Sequence, residues 1–276
     1  MHLFHKLIAT FSEDNHARGK QFERLCKWIL ETDPVYASKL TKVWLWDDWP
    51  DRWGPDCGID LVGRDTEGKI WAIQAKCYDP DYAVTKKDID SFLSESSNDQ
   101  IDTRLLIATT DKVGPNAVNV IHRANSLRPV NQLLLTELLE KPFDWPASLD
   151  DLSSAGIKEP FKPKPHQQTA IEDVVTGFEE HDRGQLIMAC GTGKTLAALW
   201  IAEELKSQTT LVLLPSLLLL SKTLAEWLRH SKEPFSFLPV CSDESVSKSS
   251  DTIRFTTSDL SFPSSTSELE IAEFLQ

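Results

Sequence analysis

Met188-Ala-Cys-Gly191-Thr-Gly193-Lys194-Thr195 places two glycines, a lysine and a hydroxyl in the order that a phosphate-cradling loop requires. In such a loop successive backbone N–H groups point inward at the phosphates, and glycines stand where a side chain would block the approach. Gly191, Thr192 and Gly193 then form the cradle, Lys194 reaches the β- and γ-phosphates, and the Thr195 hydroxyl holds Mg²⁺, which reads as an ATP site. The flanks agree. Gln185-Leu-Ile-Met-Ala189 is an apolar run of strand length, and Thr195 to Lys206 repeats its apolar residues at helical spacing. A helix opening at the loop adds the positive end of its dipole to the anion site. The first position of the pattern is Met188 rather than glycine, and the plainer alternative is an ordinary glycine-containing turn between strand and helix.

Around the loop the pattern alternates. Helical segments at Gln167 to Glu180, Thr195 to Lys206 and Leu217 to His230 are interleaved with short apolar runs at Gln185 to Ala189 and Leu211 to Leu214, which predicts α/β architecture with a parallel sheet and crossover helices. The last stretch, Ser242 to Ser267, is rich in serine, threonine and aspartate and reads as loop.

With 276 residues the chain has room for two modest domains at roughly 100–200 residues each. The net charge of −13 argues against a generally basic surface holding nucleic acid, so any DNA contact must be local or supplied elsewhere. Five cysteines, Cys26, Cys57, Cys77, Cys190 and Cys241, are scattered and form no C-x-x-C pair, which fits the reducing cytoplasm. Zinc held by Cys57, Cys77 and a histidine matches no standard spacing. No signal-peptide core and no apolar run of membrane-spanning length is present, so no membrane partner is expected.

The N-terminal half carries a second polar constellation. Phe22, Leu25, Cys26, Ile29 and Leu30 form the stripe of an amphipathic helix. After a tryptophan-rich stretch from Val43 to Trp53 come Gly58-Ile-Asp60-Leu-Val-Gly63, a turn through Glu67-Gly68, and Ile70-Trp-Ala-Ile-Gln74-Ala-Lys76-Cys77, which reads as a β-hairpin. Arg104 to Thr110 reads as a buried strand and Pro115 to Ala124 as a helix. Strand side chains alternate faces, so Gln74 and Lys76 point the same way and the paired strand brings Asp60 beside them. Burying an aspartate, an amide and a lysine together is costly without a ligand or mutual pairing. Phosphodiester hydrolysis at neutral pH needs a metal to activate water and a cation beside the reacting oxygens. Asp60 and the Gln74 carbonyl oxygen suit Mg²⁺, which takes oxygen ligands, and Lys76 suits the cation. A structural hairpin with an exposed Asp60–Lys76 ion pair is the plainer alternative. Trp44, Trp46, Trp49 and Trp53 are read as core or domain-contact residues, with base stacking as the other possibility.

Gly58-Ile-Asp60 followed by Gln74-Ala-Lys76 resembles the PD-(D/E)xK nucleases of the Mrr-like restriction endonuclease family, where glutamine often replaces the acidic member of the motif. The resemblance covers about residues 15 to 140. It implies a nuclease fold with Asp60, Gln74 and Lys76 catalytic, Glu23 of the opening helix completing the metal site, and the Ala75 carbonyl as a further ligand. Lys164-Pro165-His166-Gln167-Gln168 resembles the adenine-reading segment of superfamily-two helicases, with Gln167 at the reading position. Leu211 to Ser221 resembles the next motif of that superfamily, and Pro215 ending a strand before a helix is its plainer reading. The fold class expected is therefore α/β, a PD-(D/E)xK nuclease followed by part of a RecA-like P-loop lobe.

Prolines at 142, 146, 160, 163 and 165 suggest a linker. The expected division is a nuclease domain over 1–145, a linker over 146–165 and the first helicase lobe over 166–276. Phe237 to Glu244 superficially matches an acidic box and reads better as the next strand and loop. The order of nuclease and motor resembles the N-terminal part of single-chain type ISP restriction-modification enzymes. That resemblance implies double-stranded DNA as substrate, Mg²⁺ and ATP as cofactors, and methyltransferase and target-recognition domains further along, with this chain an N-terminal fragment or truncated product. A repair or remodelling helicase with an inactive nuclease-like domain, and a nucleotide-dependent signalling ATPase, are the competing readings.

Overall fold

A five-stranded mixed sheet organises the first half of the chain. The structure, a computed structural model, describes residues 2–55, 58–124, 128–241 and 257–276. They divide into two units, Met1–Lys158 with Pro239–Ser265, and Glu159–Leu238 with Thr266–Gln276.

The first unit runs through α1 (Leu3–Ile8), α2 (Asn15–Thr32), α3 (Pro34–Ala37), β1 (Leu40–Leu45), β2 (Leu61–Asp65), β3 (Ile70–Lys76), α4 (Lys86–Glu95), β4 (Thr103–Ala108), α5 (Pro115–Ala124), β5 (Val130–Leu133) and α6 (Leu135–Glu140). Helix α2 starts where the Asp14 carboxylate accepts from the Ala17 N–H, and it buries Phe22, Leu25, Cys26, Ile29 and Leu30. It stops at Asp33, whose carboxylate caps α3 ahead of Pro34. The β2–β3 hairpin turns at Gly68, φ +84°, while Asp65 Oδ1 accepts the N–H groups of Glu67 and Lys69 at 3.0 and 2.8 Å.

The sheet order is β1-β2-β3-β4-β5, antiparallel from β1 to β3 and parallel from β3 to β5. Strand alternation gives it two apolar faces. Leu61, Trp71, Ile73, Leu105 and Ile107 pack with α2, whereas Val62, Ala72, Leu106 and Ala108 pack with Ile89 and Phe92 of α4 and Ala117 and Ile121 of α5. Strand β4 is buried along its whole length, as expected of a parallel strand covered on both sides. The hairpin, the strand near 104–110 and the helix near 115–124 match the sequence reading. Strands β1 and β5 have weak local signals: β1 runs into the tryptophan-rich stretch and its burial does not alternate regularly, and β5 is only four residues long.

Two segments lie elsewhere than composition suggested. Residues 146–158, read as linker, belong to the first unit, with Leu149 in its core and Leu152 packed against it. The ends of this stretch are closed by the Lys158 N–H donating to Pro142 O at 2.8 Å and the Asp144 N–H donating to Gly156 O at 3.1 Å. Proline content marks breaks in regular structure, but it does not say whether the apolar residues in between reach a core. Residues 257–265, read as loop in the second domain, cover the exposed edge of β5. Leu260 and Phe262 are buried, and Asn131 Nδ2 donates to both their carbonyls at 2.9 Å. An uncovered edge strand would leave a row of unpaired backbone groups.

The second unit contains α7 (Pro165–Glu180), α8 (Lys194–Glu204), α9 (Leu217–His230) and α10 (Glu268–Phe274). Ile171, Leu196, Leu199 and Trp200 form its core, with Trp227 against them. The expected helices are in place. The apolar runs between them form no ladder among the described residues, and Ile187, Leu211 and Leu213 are each 83% exposed. A run of strand-forming residues becomes a strand only beside a neighbour that takes its backbone groups. The possible acidic box at Asp243-Glu244 and the cysteine at Cys57 lie outside the described residues.

Candidate functional sites

In the first unit the hairpin brings Asp60, Gln74 and Lys76 together. Leu61 pairs with Ile73, so Asp60 immediately precedes that pair and Gln74 immediately follows it. Asp60 is held at both backbone groups, its N–H donating to Ile73 O at 3.0 Å and its carbonyl accepting from the Trp46 N–H at 2.9 Å. Its carboxylate accepts the Ala75 N–H at 2.7 Å. Ala75 therefore enters the site through its N–H. Gln74 is 1% exposed. Its Nε2 donates to Gly58 O at 2.9 Å, while Oε1 is buried and has no hydrogen-bond partner. Lys76, partly buried, acts on Asp60 through space.

Glu23 reaches the same site from α2. It is 7% exposed and raises the Asp60 pKa through space. Lys20, one turn earlier, pairs with it at 3.0 Å. Burial alone would lower the Lys20 pKa, but the hydrogen bond and charge of Glu23, with Asp60 and Asp47 beyond, raise it. Lys20 is a site cation missed from sequence. Its only signal was the i,i+3 spacing to Glu23.

Burial pushes the Asp60 carboxyl up to about 7, with Glu23 adding to the shift and the Ala75 N–H, Lys76 and Lys20 opposing it. The folded protein thus holds this proton more tightly than the unfolded chain. The associated stability is present at low pH and is lost as pH rises through about 7. Metal-free protein should accordingly lose stability between about pH 4 and 7, by up to about tenfold per pH unit in the unfolding constant. Asp60→Asn should flatten that slope in urea titrations at a series of pH values. An unchanged slope would show that Asp60 is not the titrating group.

The donor set suits a hard divalent cation. Two carboxylates share the site, and the buried unpartnered Gln74 oxygen is what an oxygen-ligated metal would satisfy. Among the described residues no three of His, Cys, Asp and Glu cluster tightly enough to hold a metal by themselves. Gln74 and backbone oxygen must then contribute. The tryptophans support this site from behind: Trp44, Trp46 and Trp49 are buried, and Trp46, Trp49 and Trp53 pack ring against ring.

In the second unit Gly191 and Gly193 have φ of +74° and +80°, the left-handed conformation that lets the loop turn into α8. Lys194 Nζ donates to Ala189 O at 3.1 Å and Met188 O at 3.4 Å, and Thr192 Oγ1 donates to Ala189 O at 2.7 Å. The Thr195 carbonyl accepts from Trp227 Nε1 at 2.9 Å, which fixes the start of α8. Gln167 is 4% exposed, and both ends of its amide are engaged: Oε1 accepts the Lys164 N–H at 2.9 Å and Nε2 donates to Thr192 O at 3.0 Å. The glutamine expected to read a base is joined to the phosphate loop itself.

A restriction endonuclease family model of the Mrr type matches residues 31–154, and the model for the res subunit of type III restriction enzymes matches residues 160–271. Glu23 lies outside the first of these ranges. Among solved structures, the ATP-dependent type ISP restriction-modification enzyme LlaBIII bound to DNA is 31% identical with a TM-score of 0.74. The match covers 91% of this chain and 16% of that one. An Acanthamoeba polyphaga mimivirus protein named as an ATP-dependent RNA helicase is 43% identical over 49 residues, which are 18% of this chain and 9% of that protein. The chain thus spans a minor part of the length of each relative. No helix among the described residues is long and apolar enough to cross a membrane.

Proposed function

Because the chain carries a restriction-endonuclease domain followed by a helicase-type domain, we propose that it is the N-terminal part of an ATP-dependent restriction enzyme. In this reading it cleaves phosphodiesters of double-stranded DNA with Mg²⁺ and couples cleavage to an ATP-driven translocase. The nuclease is the first unit and the motor lobe the second. Type ISP likeness further suggests methyltransferase and target-recognition domains as partners, and the unpaired cysteines suit a cytoplasmic protein.

The observation that carries the nuclease reading is the Gln74 oxygen, buried without a partner beside a carboxyl that burial holds at about 7. Asp60, Glu23, Gln74 and the Ala75 carbonyl would hold Mg²⁺, which supplies charge neutralisation at the phosphate and an activated water. The Ala75 N–H orients the Asp60 carboxylate. Lys76 provides the fixed cation beside the scissile phosphate, and Lys20 neutralises Glu23 until DNA enters. The ATP reading rests on the left-handed glycines that open α8, with Lys194 and Thr195 at the positions that serve phosphate and Mg²⁺. A direct test is conversion of plasmid DNA to nicked or linear forms with Mg²⁺, against EDTA, in the presence and absence of ATP. Intact plasmid under every condition would count against the nuclease.

Gly193 offers a sharper test of the loop. A Cβ there would collide with Gln167 Nε2 on a backbone with φ +80°. Gly193→Ala should weaken Mg·ATP binding by about five- to thirtyfold, since left-handed backbone alone costs an L-residue about 1–2 kcal/mol. Calorimetric affinity equal to wild type would refute the fit.

A further inference from the structure

We propose that Gly58 is a positioning residue that makes position 74 a glutamine. Its carbonyl takes one end of the Gln74 amide and thereby presents the other end, the oxygen, to the metal. This deepens, and rests on, the metal-site reading above.

The constraint begins in backbone geometry. Gly58 has φ +82°, and a Cβ on it would lie 2.6 Å from Ser91 Oγ, 2.9 Å from Ser91 Cβ and 3.2 Å from the Phe92 backbone nitrogen. Only a residue without a side chain lets this loop press so closely on α4. The loop is also tied at its start. Trp46 Nε1 donates to Gly54 O at 3.1 Å, and Trp53 Nε1 donates to Glu95 Oε2 at the end of α4 at 3.2 Å. Gly58 O is therefore a fixed acceptor, 2.9 Å from the Gln74 side-chain nitrogen.

A carbonyl oxygen only accepts, so the amide must turn its nitrogen toward Gly58, and its oxygen is left facing the other way. That oxygen is the buried, unpartnered one. A carboxylate at this position would set acceptor against acceptor at the Gly58 end, in a place only 1% exposed. Glutamine is the side chain of this length that both donates at one end and accepts at the other. The neutral ligand of this hairpin thus follows from Gly58, although a carboxylate would ordinarily attract a divalent cation more strongly.

The test compares the full chain with Gln74→Glu, Gln74→Met and Asp60→Ala, measuring Mn²⁺ affinity by calorimetry and the thermal midpoint of metal-free protein. Gln74→Glu is expected to bind Mn²⁺ about tenfold or more weakly than wild type despite its added charge, because the ligand has lost its orienting partner. It should also unfold at a lower temperature without metal. Mn²⁺ binding as tight as or tighter than wild type in Gln74→Glu would overturn the proposal. Should that variant not fold, Gln74→Met, which removes both ends of the amide without adding charge, is read in its place. Unchanged Mn²⁺ affinity there overturns the proposal equally. Wild-type affinity in Asp60→Ala would instead sink the metal site itself. The metal-free midpoint then decides the Gly58 pairing alone, a wild-type value in Gln74→Glu overturning it and a lower one upholding it.

Discussion

Asp60→Ala should lower the rate of Mg²⁺-dependent cleavage of double-stranded DNA by at least about a thousandfold, equivalent to about 4 kcal/mol of transition-state stabilisation, while Mg·ATP binding stays at the wild-type level. The size of the effect follows from the position of the side chain. Asp60 is the proposed anionic ligand on the hairpin itself, locked by the Ala75 N–H at 2.7 Å and by its own backbone bonds to Ile73 and Trp46. Glu23 approaches from another element and is already paired with Lys20. Loss of activity through unfolding is separable from loss of chemistry. Because burial holds the Asp60 carboxyl at about 7, its removal should not destabilise metal-free protein at pH 8, where the charged form is the disfavoured one. A variant that loses nucleotide binding as well as cleavage, or that keeps cleavage, would remove Asp60 from the nuclease.

Lys194→Ala should weaken Mg·ATP binding by about a hundredfold or more, the scale expected when a preorganised cation on phosphate is removed. In the structure the Lys194 ammonium rests on the carbonyls of Met188 and Ala189, at the mouth of the loop. Phosphate oxygens would replace those two carbonyls as partners, so the lysine moves little. Calorimetric titration with Mg·ATP is the measurement, and Mn²⁺ affinity at the hairpin serves as the control for folding. Wild-type nucleotide affinity would end the loop's proposed role.

Much of both sites was legible because their chemistry lies close along the chain. The hairpin could be drawn from alternation and one glycine turn, and once drawn it had to bring Asp60 near Gln74 and Lys76, since antiparallel pairing leaves no other choice. The phosphate loop was legible for a related reason: left-handed backbone at two positions calls for glycine wherever the rest of the molecule lies.

What remained hidden depends on which faces pack. The resemblance pointed to Glu23, but nothing local to α2 indicates that Lys20 accompanies it; the burial of the Phe22–Leu30 stripe against Leu61, Trp71 and Ile73 brings both toward the hairpin. Gln167 read as a base-recognising glutamine from its motif, but its amide is joined to Thr192 because α7 stands beside the loop in the folded unit. The serine-rich stretch gave no hint that Leu260 and Phe262 would return to the edge of β5, since covering an edge requires knowing where the edge is. The amino-acid sequence alone thus located the two candidate sites, a glycine loop suited to phosphate and a carboxylate–amide–lysine hairpin, through short-range backbone preferences and strand periodicity. The tertiary structure alone decided how they are tuned: that Lys20 joins Glu23 beside Asp60, how burial raises the Asp60 pKa, and why Gly58 turns the Gln74 oxygen away from itself. These depend on contacts between segments far apart in the chain, where burial and close approach, rather than residue type, set the energy.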